Sequence, residues 1–442
     1  MLTSGAFSLV ARIVTMLNRF SAPQHTTTLP ASMKHPADAS PAAPAAPAAL
    51  VKAHATTAAA AGALSLQAES VRDESRFHSL KDEWNALARE TAPNNVFLRH
   101  EWFDAAWQWR RTDSRLRLLY VLEDGKPVGL APFVLTRRRR RGIPVRILQF
   151  LTIPDTQSCD ILAAPDKHGA VMNAIVDSLH ATRDQWDVLA LSHLREGCPT
   201  VDALRTRLPQ SASVTDINLY IDLSGGWQTF YAQRSRRLKK ANNLVANRLQ
   251  RAIENIDLEW IRADSTPRES VERAVDTVTQ LSARSWKKTT GLSLDQPGPG
   301  AFFRRLVEHA HTNSWLSLWV LRLDRAPAAM EFQLIYEGQV HALRADFDES
   351  MKPLSPGSYL NWKLLESLFD KPLQRYWLGP GENSYKFHWT EAHERLQTVT
   401  VYGASWRGRW LALLELVVFP RIKKWLGRDS VSPSPPPGRS DP

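Results

Sequence analysis

The first half of the chain alternates between helical and strand-like spacing of its apolar residues. Apolar positions three and four residues apart predict helices at residues 80–90, 100–111, 167–181 and 200–208. Runs rich in β-forming residues predict strands at residues 116–122, 128–135, 145–152, 160–163, 186–192 and 218–222. Asp124-Gly125 is a strong hairpin signal between two of these strands. This order predicts an α/β fold with a sheet of mixed direction over residues 70–225.

Residues 226–405 repeat this order of elements. Helices are predicted at residues 227–252, 269–286 and 301–311, and strands at residues 256–261, 316–323, 328–336 and 340–347. Asp324-Arg325 and Glu337-Gly338 supply the turns of the strand meander. A further helix and a further strand follow the meander. The second half is therefore expected to have the architecture of the first.

The two ends of the chain differ in composition from the middle. Ala, Pro, Thr and Ser dominate residues 21–64, so we expect a disordered tail over residues 1–69 and another over the Ser/Pro-rich residues 429–442. Residues 406–428 have an apolar centre with flanking Trp and basic ends, which predicts a basic amphipathic helix kinked at Pro420. Such a helix either lies in an anionic membrane interface or docks on the folded protein, and the pattern leaves both open.

The composition indicates a folded protein with acidic partners. The 442 residues are 43% hydrophobic and include 16 Trp, and the net charge of +11 favours CoA phosphates, tRNA or an anionic membrane. The positive charge gathers in residues 137–141, 234–251 and 407–428. We interpret the first run as a surface loop and the second as a helix whose basic face is solvated or contacts phosphates. No nucleic-acid motif accompanies them, so nucleic acid other than tRNA is not expected as a partner.

Cysteine usage and hydropathy indicate the compartment. Cys159 and Cys198 stand alone in their segments, so we expect buried thiols, no disulfide and no metal site. The longest apolar run, residues 411–419, falls short of the roughly 20 residues of a membrane helix. Residues 6–17 are apolar but contain Arg12 and no clear cleavage site, so we do not expect a secretory signal. The sequence predicts a cytoplasmic protein, peripheral to the inner face of the membrane if the C-terminal helix binds lipid.

Small and polar residues precede the predicted helix that begins near residue 356. Ser355, Gly357 and Ser358 lie where unpaired N–H groups and the positive end of the helix dipole converge, which predicts a cradle for a phosphate. An ordinary capped helix after a turn accounts for the same residues. The local sequence leaves both interpretations open.

The residues from 345 to 390 follow an order that packing alone does not require. A strand and a turn lead to Pro356-Gly357 at a helix mouth, and after the helix and a short strand come Gly381, Tyr385-Lys386 and Trp389. This order resembles the C-terminal half of the CelD-type acyltransferases. These are GNAT-superfamily proteins linked to cellulose and exopolysaccharide biosynthesis and related to the FemAB peptidyltransferases. Trp286-Lys287 and residues 95–109 and 315–347 fit the same pattern.

The resemblance extends over residues 70–405 and implies two tandem GNAT-like domains. Residues 70–225 would form a degenerate copy and residues 226–405 the acyltransferase. The resemblance implies acyl-CoA, with acetyl-CoA as the first choice, as cosubstrate, and an amino or hydroxyl group of a small molecule or saccharide as acceptor. The usual GNAT signature Q/R-x-x-G-x-G/A is absent and LSPGS stands in its place. Aminoacyl-tRNA, which FemAB-like relatives use, is therefore an alternative donor, and a non-catalytic accessory module of a polysaccharide synthase is an alternative function.

Acyl transfer from a thioester needs a cradle for the donor, a proton donor and a base. By the resemblance, Glu382 is the predicted base, Tyr385 gives a proton to the leaving thiolate, and Lys386 holds an acidic group of the donor. Asp346, at the end of the strand before the cradle, is an alternative base. Loop exposure and packing account for the same residues without catalysis.

Overall fold

The computed structural model describes residues 66–208 and 211–421. In them the chain forms two successive sets of strands and helices, called rounds below, one in each half. The strands of the first round are β1 (Leu66–Val71), β2 (Ser114–Leu116), β3 (Leu118–Glu123), β4 (Lys126–Ala131), β5 (Phe133–Arg140), β6 (Ile143–Phe150), β7 (Leu162–Ala163), β8 (Val188–Arg195) and β9 (Ser211–Asp222). Its helices are α1 (Glu74–Ser79), α2 (Lys81–Thr91), α3 (His100–Arg110), α4 (His168–Ala181) and α5 (Pro199–Arg207).

The second round has fewer strands and longer helices. Its helices are α6 (Trp227–Ala232), α7 (Arg236–Ala252), α8 (Arg268–Ala283), α9 (Pro297–Thr312), α10 (Pro356–Phe369) and α11 (Trp406–Ala412). Its strands are β10 (Ile256–Arg262), β11 (Leu316–Leu323), β12 (Ala326–Tyr336), β13 (Gln339–Phe347), β14 (Arg375–Pro380) and β15 (His393–Tyr402). Short 3-10 turns lie at Val96–Leu98, Trp286–Thr290, Glu349–Leu354 and Lys386–His388.

Most strands join one large sheet of mixed direction. Its order is β10-β11-β12-β13-β14-β9-β15-β8-β6-β5-β2, and a four-stranded sheet has the order β1-β3-β4-β7. Two of the pairs in the large sheet are parallel, β6 with β8 and β13 with β14. Each half therefore runs strand, helices, antiparallel strands, helix and parallel strand. The predicted mixed α/β fold with two tandem copies is confirmed.

The predicted element boundaries hold in most places and need correction in three. Residues 137–140 are not a loop but the end of β5, because their backbone pairs with β6. The predicted helix 227–252 is two helices, because Ser235 caps a new one by accepting a hydrogen bond from the Leu238 N–H at 3.2 Å. The third helix of the second half begins at Pro297 and not at residue 301, since proline is tolerated in the first turn of a helix.

Helices α3 and α9 join the two halves. The rings of Trp102 and Phe302 meet edge to face with their centroids 5.5 Å apart. Beside them the carboxylate of Asp104 lies 2.5 Å from Arg305 and 2.6 Å from His309. Burial alone would raise the pKa of Asp104, but hydrogen bonds from His309 and Arg305 hold it at about 2. The halves thus share an apolar cluster and, beside it, a buried charge interaction.

The C-terminal helix docks on β6 and β8 of the first half and on β15 of the second. Helix α11 continues as a π-helix over Leu413–Val418, and Leu411 is fully buried in a cluster with Val145 and Val188. This supports the docking alternative for the predicted helix 406–428 as far as residue 421. Within the described residues, none of the helices combines the length and the apolar character that crossing a membrane requires. The predicted tails fall outside the described residues, except that β1 begins at Leu66, four residues before the predicted start of the fold at residue 70.

Candidate functional site

The second half opens a gap between its two parallel strands. β13 and β14 pair at three positions, the last of them His341 with Trp377, and then diverge. Beyond that point the next pairing of β14 is with β9. Gly379 adopts a φ of +80°, and a Cβ there would lie 3.6 Å from the Ala342 carbonyl across the gap. The strands thus separate from Ala342 onward, and β13 continues towards the turn that precedes α10.

The mouth of α10 lies at the end of β13 and offers unpaired amides. Ser355 takes a left-handed φ of 55° and turns the chain into the helix. The Tyr359 N–H bonds to the Ser355 carbonyl at 3.2 Å. Among the described residues, the N–H groups of Gly357 and Ser358 have no protein acceptor. Ser358 is exposed and Gly357 half-buried, so an anion can reach these amides and the positive end of the helix dipole.

Lys386 makes its contacts at the end of β14. Its side chain is buried, and Nζ donates to the carbonyls of Gly379, Pro380 and Gly381 at 2.7, 2.9 and 3.2 Å. Burial lowers the pKa of Lys386 to about 8. An ammonium has three donors. The ammonium group that was predicted to hold the acyl donor therefore binds the end of β14 and fixes it in place. All three of its N–H groups are used by these carbonyls.

Glu382 and Tyr385 lie in the exposed loop after β14. Glu382 is exposed, and half of the Tyr385 side-chain surface is exposed. Burial of the hydroxyl, followed by the negative charge of Glu331, raises the pKa of Tyr385 to about 12. The phenol therefore keeps its proton at neutral pH, as a proton donor must.

A buried hydrogen-bond chain underlies that loop. The Glu331 carboxylate accepts from the Tyr376 hydroxyl and, at 2.7 Å, from Gln333 Nε2. Gln333 Oε1 in turn accepts from Ser317 at 2.9 Å. Burial raises the pKa of Glu331, against the effect of the hydrogen bonds. Tyr376 belongs to β14 and Glu331 to β12. These hydrogen bonds therefore fix β14 at the residue before its last pairing with β13.

Asp346 lies in a cluster of buried charges on the face of the sheet opposite to Glu331. Its carboxylate is 2.6 Å from Lys287 Nζ and 3.4 Å from Arg344 Nε. Arg344 Nη1 is also 3.7 Å from the carboxylate of Asp155. Burial lowers the pKa of Lys287, which the nearby charge of Asp346 partly offsets. The structure thus joins Asp346 to three residues that the chemical argument from sequence did not assign to catalysis.

Asp155 is paired only at long range within this cluster, since Arg344 Nη1 is 3.7 Å from its Oδ2. Its side chain is 16% exposed, and among the described residues its Oδ2 has no hydrogen-bond partner. Burial raises the pKa of Asp155, while the charges of Arg344 and Lys287 oppose the shift. A carboxylate with a raised pKa holds a proton more readily than an ordinary aspartate does, which suits a general base.

Gln157 lies at the gap between the strands. Its Nε2 donates to the Ala342 carbonyl at 2.8 Å, and its Oε1 faces His341 Nδ1 at 3.2 Å. Burial lowers the pKa of His341 to about 3, so the ring is neutral. Gln157 and Ala342 are 185 positions apart in the chain. Sequence reasoning missed Gln157 and Asp155 for that reason, although a polar run directly after the strand predicted at residues 145–152 was an available signal.

The remaining sequence predictions concern thiols and metals. Burial raises the pKa of Cys159 well above its usual value and that of Cys198 to about 12, so neither thiol is an activated nucleophile. The described residues hold no group of three or more His, Cys, Asp or Glu side chains that could bind a metal ion.

Comparison with known proteins identifies part of the chain. The model of the acetyltransferase (GNAT) domain matches residues 235–387. No curated protein matches the sequence. The fold is similar to the crystal structure of FemX, with 10% identity, a TM-score of 0.47, and 76% of this chain and 98% of that chain covered. It is also similar to the C-terminal domain of a putative lysylphosphatidylglycerol synthetase from Agrobacterium fabrum, with 11% identity, a TM-score of 0.48, and 78% and 97% covered.

The matched residues contain those parts of the site that belong to the second half. They include β13, the mouth of α10, β14 and the loop as far as Phe387. Asp155 and Gln157 lie outside the match and come from the first half. The chain therefore carries a GNAT acetyltransferase domain over residues 235–387, and with it the catalytic domain of an acyltransferase.

Proposed function

We propose that the protein transfers an acyl group from acyl-CoA, with acetyl-CoA as the first choice, to an amino or hydroxyl group of a small molecule or saccharide. The observation that carries this proposal is the mouth of α10. Two amides, those of Gly357 and Ser358, lack a protein acceptor there, and β13 leads from the strand gap directly to them. A donor that carries a pyrophosphate next to a long thioester arm fits both features.

The donor side is argued from charge and space. The pyrophosphate of the donor would lie on the amides of Gly357 and Ser358, and Ser355 and Ser358 offer hydroxyls to it. Arg248 on α7 donates to the Pro353 carbonyl in the turn before the cradle. The basic helix therefore flanks the cradle, which supports a phosphate-rich donor. The thioester arm would follow β13 from the point where it leaves β14.

The acceptor side is argued from the buried charges. The acceptor would approach from the face that carries Asp155 and Asp346, and its nucleophilic atom would attack the thioester carbonyl. A C–N or C–O bond forms and the C–S bond breaks. Asp155 takes the proton of the nucleophile, and Tyr385 gives a proton to the leaving thiolate. Asp346, with its two cations, is the second candidate for the base, and exposed Glu382 the third.

Binding and turnover test the proposal separately. Calorimetry with acetyl-CoA and longer acyl-CoAs measures donor binding, and release of free CoA thiol in the presence of amines, amino sugars and hydroxyl acceptors measures transfer. We expect saturable binding of at least one acyl-CoA and thiol release that depends on an acceptor. A protein that binds none of these acyl-CoAs contradicts the CoA version.

Aminoacyl-tRNA is the second candidate donor because α7 flanks the cradle. This helix carries Arg236, Arg237, Lys239 and Lys240 in its first turns. Transfer that requires charged tRNA and stops on ribonuclease treatment would favour this donor over acyl-CoA. A role in polysaccharide biosynthesis is the finer form of the proposal, and acylation of a saccharide precursor in the acceptor panel tests it. A non-catalytic accessory role would instead give no turnover with either donor.

A further inference from the structure

Exposed apolar side chains concentrate on the outer face of the C-terminal helix. In the part of the chain that the structure describes, nine large hydrophobic residues are exposed, and four of these lie within residues 406–416. They are Trp406, Trp410, Leu413 and Leu416, with 64%, 53%, 45% and 44% of their surface exposed. Residues spaced by three and four share one side of a helix, so the first three form a continuous stripe.

The opposite side of the same helix is fixed to the protein. Glu415 accepts hydrogen bonds from Arg140 at 2.8 and 2.6 Å and from the Tyr402 hydroxyl at 2.6 Å. At its start, Ser405 accepts from the Gly408 N–H at 3.1 Å and donates to Asp187 at 2.7 Å. The exposed stripe is therefore held outward by contacts on the other side.

The charge around the stripe is positive. Residues 406–421 contain Arg407, Arg409 and Arg421 and a single acid, Glu415. The charge of Glu415 is already matched by Arg140, 2.6 Å away. Tryptophans beside arginines, on a helix with an outward apolar side, are the composition of a segment that lies in the headgroup region of a membrane.

We propose that this face binds the surface of an anionic lipid bilayer. The stripe of Trp406, Trp410 and Leu413 would enter the headgroup region, and Arg407 and Arg409 would lie near lipid phosphates. A second copy of the chain fits less well, because a two-fold contact would bring the same arginines together. One short helix also offers less surface than the about 800 Å² per partner of a standard protein interface. The proposal does not depend on the acyl donor.

Vesicle binding by the full chain tests the proposal. The protein is sedimented with vesicles of equal parts phosphatidylcholine and phosphatidylglycerol, and with vesicles of phosphatidylcholine alone, at low and high salt. We expect binding to the anionic vesicles that weakens with salt. Trp406→Ser with Trp410→Ser should weaken it by about tenfold or more. Arg407→Gln with Arg409→Gln should weaken it by a similar factor, about tenfold, on the anionic vesicles only.

A matched control separates the stripe from surface hydrophobicity in general. Leu244 on α7 is 53% exposed, as is Trp410, so Leu244→Ser should leave vesicle binding unchanged. Thermal unfolding of each variant shows whether the fold is retained, and the arginine variants serve if the tryptophan variants unfold. Absence of binding to anionic vesicles overturns the proposal, and so does binding that neither pair of substitutions weakens. Self-association that the tryptophan substitutions abolish, without vesicle binding, identifies a second copy as the occupant instead.

Discussion

The two halves build the same parallel strand pair, and they differ in what lies beyond it. In the first half β6 and β8 pair from Ile147 to Gln149, and in the second half β13 and β14 pair from Gln339 to His341. Beyond the first pair, the Cys159 N–H bonds to the His193 carbonyl of β8 at 3.0 Å, so the chain itself occupies that gap. Beyond the second pair the first half contacts β13 through side chains, among them Gln157, whose Nε2 donates to the Ala342 carbonyl at 2.8 Å, and β13 continues towards the turn before α10.

The difference lies in the connection between strand and helix. In the second half it is the short segment 348–355, which turns directly into α10. In the first half it is the longer segment 151–167, which reaches across to the second half. Cys159 and Gln157 are two residues apart in this segment. Cys159 contacts β8 in the first half, and Gln157 contacts β13 in the second. One half thus completes the site of the other, and the predictions below test how far that division holds.

The largest expected effect comes from removing the charge that the first half contributes. Asp155→Asn keeps the size of the side chain but cannot take a proton, so kcat should fall by about 10²–10⁴-fold. Burial raises the pKa of Asp155, so wild-type kcat should rise as the pH passes that raised value. The variant should lose this rise. The measurement is CoA thiol release as a function of pH.

Asp184→Asn, at an exposed position of the same half, is the control for Asp155 and should change neither kcat nor its pH dependence. An Asp155 variant with the wild-type profile would mean that the first half does not supply the base. Asp346→Asn would then be the next variant to measure.

The second prediction asks whether the two halves unfold together. Asp104→Asn breaks the buried contacts to Arg305 and His309 and should lower the free energy of unfolding by about 3 kcal/mol. The folded pKa of Asp104 is depressed to about 2. Its contribution is therefore fully present above the unfolded value of about 3.9 and is lost as the pH falls towards the folded one. Urea unfolding at neutral and acidic pH measures both effects.

An exposed ion pair between α8 and α9 is the control for Asp104. Asp276 pairs with Arg304 at 3.0 Å, and both side chains are more than half exposed, so Asp276→Asn should cost less than about 1 kcal/mol. Two separate unfolding transitions in the Asp104 variant would show that the halves are independently stable. Equal losses in the two variants would show that burial of Asp104 adds nothing.

The third prediction compares the same helical position in the two halves. Gly357 and Gly169 are each the second residue of the helix after the parallel-sheet strand. A Cβ on Gly357 would lie 3.6 Å from the Phe347 ring, so an indole there must crowd the mouth of α10. Gly357→Trp should weaken acyl-CoA binding by about tenfold or more. Gly169→Trp, in open space, should leave it unchanged.

Calorimetry with acyl-CoA, together with thermal unfolding of both glycine variants, measures this comparison. Equal affinity in the Gly357 variant would place the donor elsewhere. Equal loss in both variants would show that the first half also takes part in donor binding.

The local pattern of the sequence was enough to predict most helices and strands and the helix start at the mouth of α10. The turn at Glu337-Gly338 was predicted from the glycine between two strand patterns, and both of its residues have a positive φ. The mouth of α10 was found from residues next to each other in the chain. Contacts between the halves depend on the fold, and no local pattern encodes them. Lys386 shows the same limit, because its charge was visible but the three carbonyls around it were not.

The smallest expected effect is at the side chain that touches the gap. Gln157→Ala leaves the Ala342 carbonyl without its donor and His341 Nδ1 without its partner, so the free energy of unfolding should fall by about 1–3 kcal/mol. Because β13 loses its support from the first half where it leaves β14, the KM for the donor should rise while kcat changes little. Gln185→Ala, in a loop of the first half, is the control and should change neither quantity. A Gln157 variant that lowers kcat as strongly as Asp155→Asn would contradict the division proposed here, because a residue that only holds the strand in place would then be as important as the base.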